Sequence, residues 1–257
     1  MAVDYKNIFN LEGKVAVVTG SGGGIGQAIA CALADYGADV MCSSHNPDKA
    51  RKTADMVCEY GRKGISRAFD ISRVEEIEKF KAATLAEFGK VDILVNSAGM
   101  NRRDFVVDIK EEDFDRILQV NLKGVLFCCQ AFGREMIKRK SGKIVNISSI
   151  SSLLGHPTRG SYAASKGGLI QISRVMATEW APYNVCVNSI SPAAIDTPFI
   201  DGLKKNRERL DRELERIPMG RIGVTEDVVG AAVFYASRAS DFVTGTNLFV
   251  DGGRTVD

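Results

Sequence analysis

Residues 15–26 read VAVVTGSGGGIG, and few short stretches restrict a fold more tightly. A short run of β-branched residues that stops at a glycine reads as a strand buried on both faces. Helical spacing starts at once behind it, with Ile25, Ile29 and Leu33 on one side. Between the two lie Gly20, Gly22, Gly23, Gly24 and Gly26, five glycines in seven residues. Glycines let backbone N–H groups approach a phosphate, and the start of a helix favours negative charge. The spacing is T-G-x-x-x-G-x-G, neither the strict G-x-G-x-x-G fingerprint nor a P-loop, since no Lys-Ser/Thr follows. A tight turn alone needs fewer glycines, so the loop reads as a nucleotide cradle.

The same strand-then-helix unit recurs along the chain. DVMCSS is a second strand; a helix opens on Asn46 as N-cap with Pro47 at its first position and closes at Gly61. ISRAFD, VDILVNSAG, KIVNISS, NVCVNSIS and TNLFVDGG continue the strands. Helices are expected through Phe88, over 111–139, over 161–181 and in TEDVVGAAVFYAS, with a charged helix at 199–217. Strict alternation predicts an α/β fold, a doubly wound parallel sheet of Rossmann type with helices on both faces. One dinucleotide-binding catalytic domain over 1–257 is expected, with a segment at about 192–218 covering the substrate.

Composition narrows the function classes. The 34 basic and 32 acidic side chains leave a net charge of +2, which does not suit a general nucleic-acid binder. No apolar run approaches the roughly 20 residues that a membrane span needs. The N-terminal MAVDYKNIFNLEGK has no basic region followed by an apolar core, so it does not read as an export signal. The six cysteines form no C-x-x-C pair and mostly sit in apolar runs, as buried free thiols do. With two distant histidines, His45 and His156, a zinc site is not expected. These features read as a soluble, reduced, cytoplasmic protein without a metal.

SYAASKGG places Tyr162 and Lys166 four residues apart. On a helix they share a face, roughly 5–6 Å apart at Cβ. A cation beside a phenol favours phenolate and lowers its pKa from about 10.

TGSGGGIG, NSAG at 96–99, Asn121 in VNLKG, Ser149 at the end of NISS and Tyr162-x-x-x-Lys166 occur in that order, and together they resemble the short-chain dehydrogenase/reductase family. Ser149 lies 13 residues before Tyr162, the family's typical spacing. Two positions depart from its pattern: Ser97 stands where a second Asn is common, and Ala193 where Gly usually follows the Pro. The resemblance implies an NAD(P)-dependent oxidoreductase that interconverts a secondary alcohol and a ketone. It makes Tyr162 the acid/base, Lys166 the group that stabilises phenolate and holds the nicotinamide ribose, Ser149 a hydrogen-bond partner of the substrate oxygen, and Asn121 part of a water-linked proton path. It assigns cofactor contacts to Gly20, Ser21, Gly24, Ile25, Gly26, Asp70, Asn96, Ala98, Ile195 and Thr197, beside Tyr162 and Lys166. It also implies a homotetramer. NRRD, ATEWA and RIPMGRIG look most like gluconate 5-dehydrogenases and related sugar-acid or polyol enzymes. A 3-oxoacyl-carrier-protein reductase shares the same motifs, and a non-catalytic nucleotide-binding regulator is the reading from another class.

Three points concern choice of ligand. Arg102 and Arg103 could bind a substrate carboxylate bidentately or be solvated loop charges. Asp70 could contact adenine or cap a helix, and Trp180 reads as a packing residue. The second strand ends CSSHN, with no carboxylate where NAD enzymes carry one. Ser44 can donate to a phosphate and His45 can add charge when protonated, so NADP is the expected cofactor, with NAD as the alternative.

Overall fold

The computed structural model describes residues 5–256, so part of the N-terminal stretch read above as no export signal lies outside the described residues. Seven strands alternate with helices: β1 Val15–Thr19, α1 Gly24–Asp35, β2 Asp39–Ser44, α2 Pro47–Glu59, β3 Gly64–Ala68, α3 Val74–Phe88 and β4 Ile93–Asn96. The second half runs α4 Glu111–Leu118, α5 Val125–Arg139, β5 Gly142–Ile147, α6 Gly160–Trp180, β6 Val185–Pro192, α7 Asp201–Lys204, α8 Arg207–Leu214, α9 Thr225–Ala236 and β7 Asn247–Val250. The strand order is β3-β2-β1-β4-β5-β6-β7, and every pairing is parallel. This is the doubly wound sheet expected from the alternation. The chain builds outward from β1 on one side, then returns to β4 on the other, which opens a crevice beyond the carboxyl ends of β1 and β4.

β1 shows why its residues are apolar without alternation. Ala16 and Val18 enter one core with α1 and α9, while Val17 enters the other with α3, α5 and α6. Both faces are covered, so each side chain is buried whichever way it points. Trp180 packs its ring over Gly133 of α5, 2.7 Å from where a Cβ would stand, and so takes the packing role expected of it.

Two expected helices are interrupted. The helix over 111–139 contains a π-helical turn at Gln119–Gly124 between α4 and α5. Single π turns occur where a helix meets a functional site, and Asn121 lies inside this one. The charged segment at 199–217 is split between α7 and α8, because Asn206 leaves helical geometry and caps a new start by accepting from the Arg209 N–H at 3.0 Å. The last strand stops at Val250, since Asp251 folds into a turn, accepting from the N–H groups of Gly253 and Thr255. Among the described residues no helix is long and apolar enough to cross a membrane.

Candidate active site

The glycine loop joins β1 to α1 at the crevice. Gly20 has φ +69, and a Cβ there would lie 2.5 Å from the Ala98 nitrogen. Gly26 presses against the Gly20 carbonyl, so neither position admits a side chain. At Gly23 a Cβ would meet nothing within 4 Å. The loop is therefore closed towards the sheet and open outward. No side chain caps α1 and its first turn carries no acid, leaving the N–H groups of Gly24, Ile25 and Gly26 without a capping partner from a side chain. Thr197 closes the far side, its methyl 3.2 Å from a Cβ built on Gly24, and its hydroxyl donates to the carbonyl of buried Ile195. Ser21 is wholly buried and ties the loop to β2 through the Ser43 carbonyl. An open, uncapped helix start behind a backbone-lined loop fits a dinucleotide pyrophosphate.

β2 ends beside this loop. The Ser44 hydroxyl lies 2.7 Å from a Cβ built on Gly22 and accepts from the Asn46 N–H at 3.2 Å. His45 is exposed next to it. No carboxylate is placed at the strand end: Asp39 sits at the strand start, where it faces Arg62 at 3.3 Å, and Asp48 lies in the first turn of α2. Lys49, which the sequence reading did not single out, brings its Cβ to 3.0 Å from the Gly22 position. Asp70 does not cap α3. Its Oδ1 instead accepts from both the backbone and the hydroxyl of Ser72, at 3.0 and 2.8 Å.

Two asparagines of the ordered motif, Asn96 and Asn121, make their side-chain bonds inside the protein. The Asn96 side chain turns into the core, donating to Asn146 Oδ1 at 2.9 Å and to Cys129 Sγ at 3.2 Å. It ties β4 to β5 from within the core. Ala98 reaches the crevice, against Gly20. Asn121 accepts from the Met100 N–H at 2.8 Å and donates to the Met100 carbonyl and the Ser165 hydroxyl at 2.8 and 3.1 Å. Both amide hydrogens are thus engaged, and the side chain clamps the loop after β4.

Ser149, Tyr162 and Lys166 meet where β5 ends and α6 begins. All three are buried. Ser149 Oγ accepts from the Ser151 N–H at 3.1 Å, so its own hydrogen is free to point elsewhere. Lys166 Nζ lies 5.8 Å from the centre of the Tyr162 ring and donates to the Ile147 carbonyl at 2.7 Å. Burial pushes the Tyr162 phenol up, against hydrogen bonding from Ser149 and the charge of Arg159. Burial also pulls the Lys166 ammonium down to about 8. The expected lowering of the phenol by Lys166 is not found in the protein by itself: Ser149 and Arg159 are the groups that lower it, and burial outweighs them. Phe199 stands over the site with its ring 6.1 Å from that of Tyr162.

The two arginines of NRRD separate. Arg102 is exposed and pairs with Asp104 at 2.9 Å and Asp113 at 3.0 Å, so the protein itself supplies its carboxylates. Arg103 is half-buried and has no ion pair among the described residues. Burial, then the charges of Arg159 and Arg209, lower its pKa against Glu213. Arg159 comes within its reach, and His156 feels both Arg159 and Arg254. Sequence reading passed over them because they sit in loops without periodicity, and only HPTR just ahead of the Tyr162 helix was a signal. Among the described residues no cluster of His, Cys, Asp or Glu could hold a metal.

Residues 20–255 match the sequence pattern of the family described as enoyl-(acyl carrier protein) reductase. The chain is 41% identical to a 2-dehydro-3-deoxy-D-gluconate 5-dehydrogenase of Dickeya dadantii, over 96% of this chain and 97% of that one. It is 37% identical to a gluconate 5-dehydrogenase of Gluconobacter oxydans, over 99% of each. Its structure is similar to that of a gluconate 5-dehydrogenase from Burkholderia cenocepacia J2315 in complex with NADP and tartrate, at TM-score 0.94 and 37% identity, over 98% of both chains.

Proposed function

The chain belongs to the short-chain dehydrogenase/reductase family, and from that premise we propose an NADP-dependent dehydrogenase that interconverts a secondary alcohol and a ketone on a sugar acid. The observation that carries it is the meeting of Ser149, Tyr162 and Lys166 at the carboxyl end of β5, beside an arginine without a carboxylate partner. The similar gluconate and deoxygluconate 5-dehydrogenases support the substrate class, and the NADP complex of a similar structure supports the cofactor.

Gly20, Ser21, Gly24, Ile25 and Gly26 hold the pyrophosphate, and Ala98, Ile195 and Thr197 line the way to the nicotinamide. Ser44, His45 and Lys49 face the adenosine end, with Asp70 beside them. When bound, the dinucleotide accepts or donates the hydride. The chain supplies position and a proton. The Tyr162 hydroxyl gives its proton to the ketone oxygen in reduction and takes it back in oxidation. Its high pKa keeps it protonated for reduction, and the Lys166 ammonium stabilises the phenolate left behind. Ser149, accepting from Ser151, directs its own hydrogen to the substrate oxygen. Asn121 positions the loop after β4 through Met100 and holds part of a water-linked proton path. Arg103 binds the substrate carboxylate, whereas Arg102 braces the loop. The segment at about 192–218, which carries Thr197 and Phe199, covers the substrate within a single catalytic domain.

We also read the protein as a cytoplasmic homotetramer with no nucleic-acid or membrane partner. Fully exposed Phe242 and partly exposed Val175 and Leu248 support self-association. Light scattering measures the subunit number. Oxidation of NADPH against 5-ketogluconate, an uncharged ketose and a 3-oxoacyl thioester tests the function. Fastest turnover of the keto acid is expected. Fastest turnover of the thioester would make this an acyl-chain reductase, and no turnover of any ketone would make it a regulator.

A further inference from the structure

Five arginines come within electrostatic reach of one another or of His156: Arg103 after β4 feels Arg159 before α6 and Arg209 in α8, and His156 feels Arg159, Arg216 just beyond α8 and Arg254 in the final turn. None of them makes an ion pair with a described carboxylate, although many other arginines of the chain do. Glu213 is the acid that faces the group. Unpaired guanidinium groups gathered within such reach repel each other, and such an arrangement is retained where an anion arrives to compensate it.

The cluster has a defined inner wall. Arg159 Nη1 donates to the Ser151 hydroxyl at 3.4 Å, and His156 Nδ1 lies 3.1 Å from that same hydroxyl. Ser151 in turn donates its N–H to Ser149 Oγ. So His156 and Arg159 are one side chain removed from the serine that faces the substrate oxygen. Two nitrogens here are buried without a partner among the described residues: His156 Nε2 and Arg254 Nε. A buried nitrogen without a partner is destabilising, which a ligand oxygen would relieve. Space lies beside two of these groups: a cavity of about 550 Å³ has His156 and Arg159 on its wall, completed by the apolar Phe105, Val106, Val107 and Pro157 and by Asp108, while Arg254 lies outside its lining. Burial, then Arg159, hold the His156 pKa down; Arg254 and Arg216 act with them and Glu213 opposes. An anion entering the group would act in the same direction as Glu213 and raise it.

One carboxylate on Arg103 leaves this second pole uncompensated. We propose that Arg159, His156 and Arg254 form a second anion subsite, and that the substrate is a sugar derivative acidic at both ends, carrying a carboxylate for Arg103 and a further carboxylate or a phosphate for this pole. The inference rests on the sugar-acid reading and narrows it. Arg159 is thereby a specificity-determining residue.

The test compares NADP-dependent oxidation of gluconate, glucarate and 6-phosphogluconate by the full chain. The two doubly acidic probes separate a carboxylate from a phosphate at the second pole. At least one of them is expected to exceed gluconate in kcat/KM by about tenfold, the usual scale for one charge-assisted contact. Arg159→Ala should erase that ratio, mainly through KM, while Arg159→Lys restores part of it; NADPH binding by fluorescence checks that the variants are folded. Independently, only two histidines give imidazole signals in this chain. The His156 signal should shift towards the protonated form when the preferred diacid is added, and that of His45 should not. Equal kcat/KM for all three acids, with Arg159→Ala lowering each alike, would overturn the second subsite and leave the sugar-acid reading standing. Turnover of none of the acids, with turnover of a neutral ketone, would overturn the sugar-acid reading itself.

Discussion

Lys166 Nζ stands 5.8 Å from the centre of the Tyr162 ring and is held there by the Ile147 carbonyl, 2.7 Å away. The ammonium is placed by the sheet, not by the phenol, so it can stabilise negative charge on the ring without being drawn into a fixed pair. Burial brings its pKa to about 8. Below that value the lysine is charged; above it, the phenolate of reduction loses its cation. The kcat/KM for ketone reduction, which reports the free enzyme, should therefore fall as pH rises through about 8. A profile flat from pH 7 to 9 would remove Lys166 from the step.

Tyr162→Phe keeps the ring against Phe199 and removes only the proton. Loss of a positioned acid lowers turnover by about 10²–10⁴-fold. Cofactor binding should persist, because the glycine loop is untouched. Turnover within a few-fold of the unmodified enzyme, measured by NADPH oxidation, would refute the assignment.

The sheet was legible because both of its faces are covered, which turns each strand into an apolar run. The interruptions were not. Asn121 continues an unbroken helical pattern, and nothing in QVNLKG signals a π turn, nor that Asn121 inside it clamps Met100. Asn206 looks like one more polar residue in a charged segment until it caps Arg209. In the site, the ordered motif revealed Ser149, Tyr162 and Lys166, but a motif does not say where a side chain points. Asn96 lies in NSAG and yet faces Asn146. His156 and Arg254 belong to loops, where position depends on tertiary packing rather than on period.

The end of β2 makes a prediction about the cofactor. Ser44→Asp would put a carboxylate beside the glycine loop, where the unmodified chain has none. Like charges at close range oppose a 2′-phosphate, and the preference should move from NADP towards NAD by about tenfold or more. Steady-state kinetics with both cofactors measures it, and an unchanged ratio would place the 2′-position elsewhere.

Asp92 is a structural counterpart far from the chemistry. It sits buried at the start of β4, with Arg139 at 2.6 Å, Lys90 at 3.0 Å and the Val15 N–H at 2.9 Å. Burial raises its pKa, but the bonds from Arg139, Val15 and Lys90 win and leave it lowered. A lowered folded pKa means stability present above the unfolded value of about 3.9 and lost as pH falls through the folded one. Asp92→Asn should cost about 1–3 kcal/mol at pH 7, and the difference from the unmodified protein should narrow as pH falls below about 3.9. Urea unfolding at pH 7 and pH 3 checks both; an equal loss at the two values would mean that charge plays no part.

Adjacent arginines provide the last test. Arg102 already holds Asp104 and Asp113, so Arg102→Ala releases a loop brace on the surface and should change KM for 5-ketogluconate less than threefold, the scale of an exposed pair. Arg103 is half-buried, and no described carboxylate pairs with it. If a substrate carboxylate completes it, Arg103→Ala should raise KM for the keto acid by about tenfold or more, with little change for an uncharged polyol. Arg103→Lys keeps the charge but not the two-pronged geometry, so it should recover only part of the loss. A purely structural role would raise KM for acid and polyol together. That equal rise would return Arg103 to the loop, and the carboxylate would have to be sought at Arg159 instead.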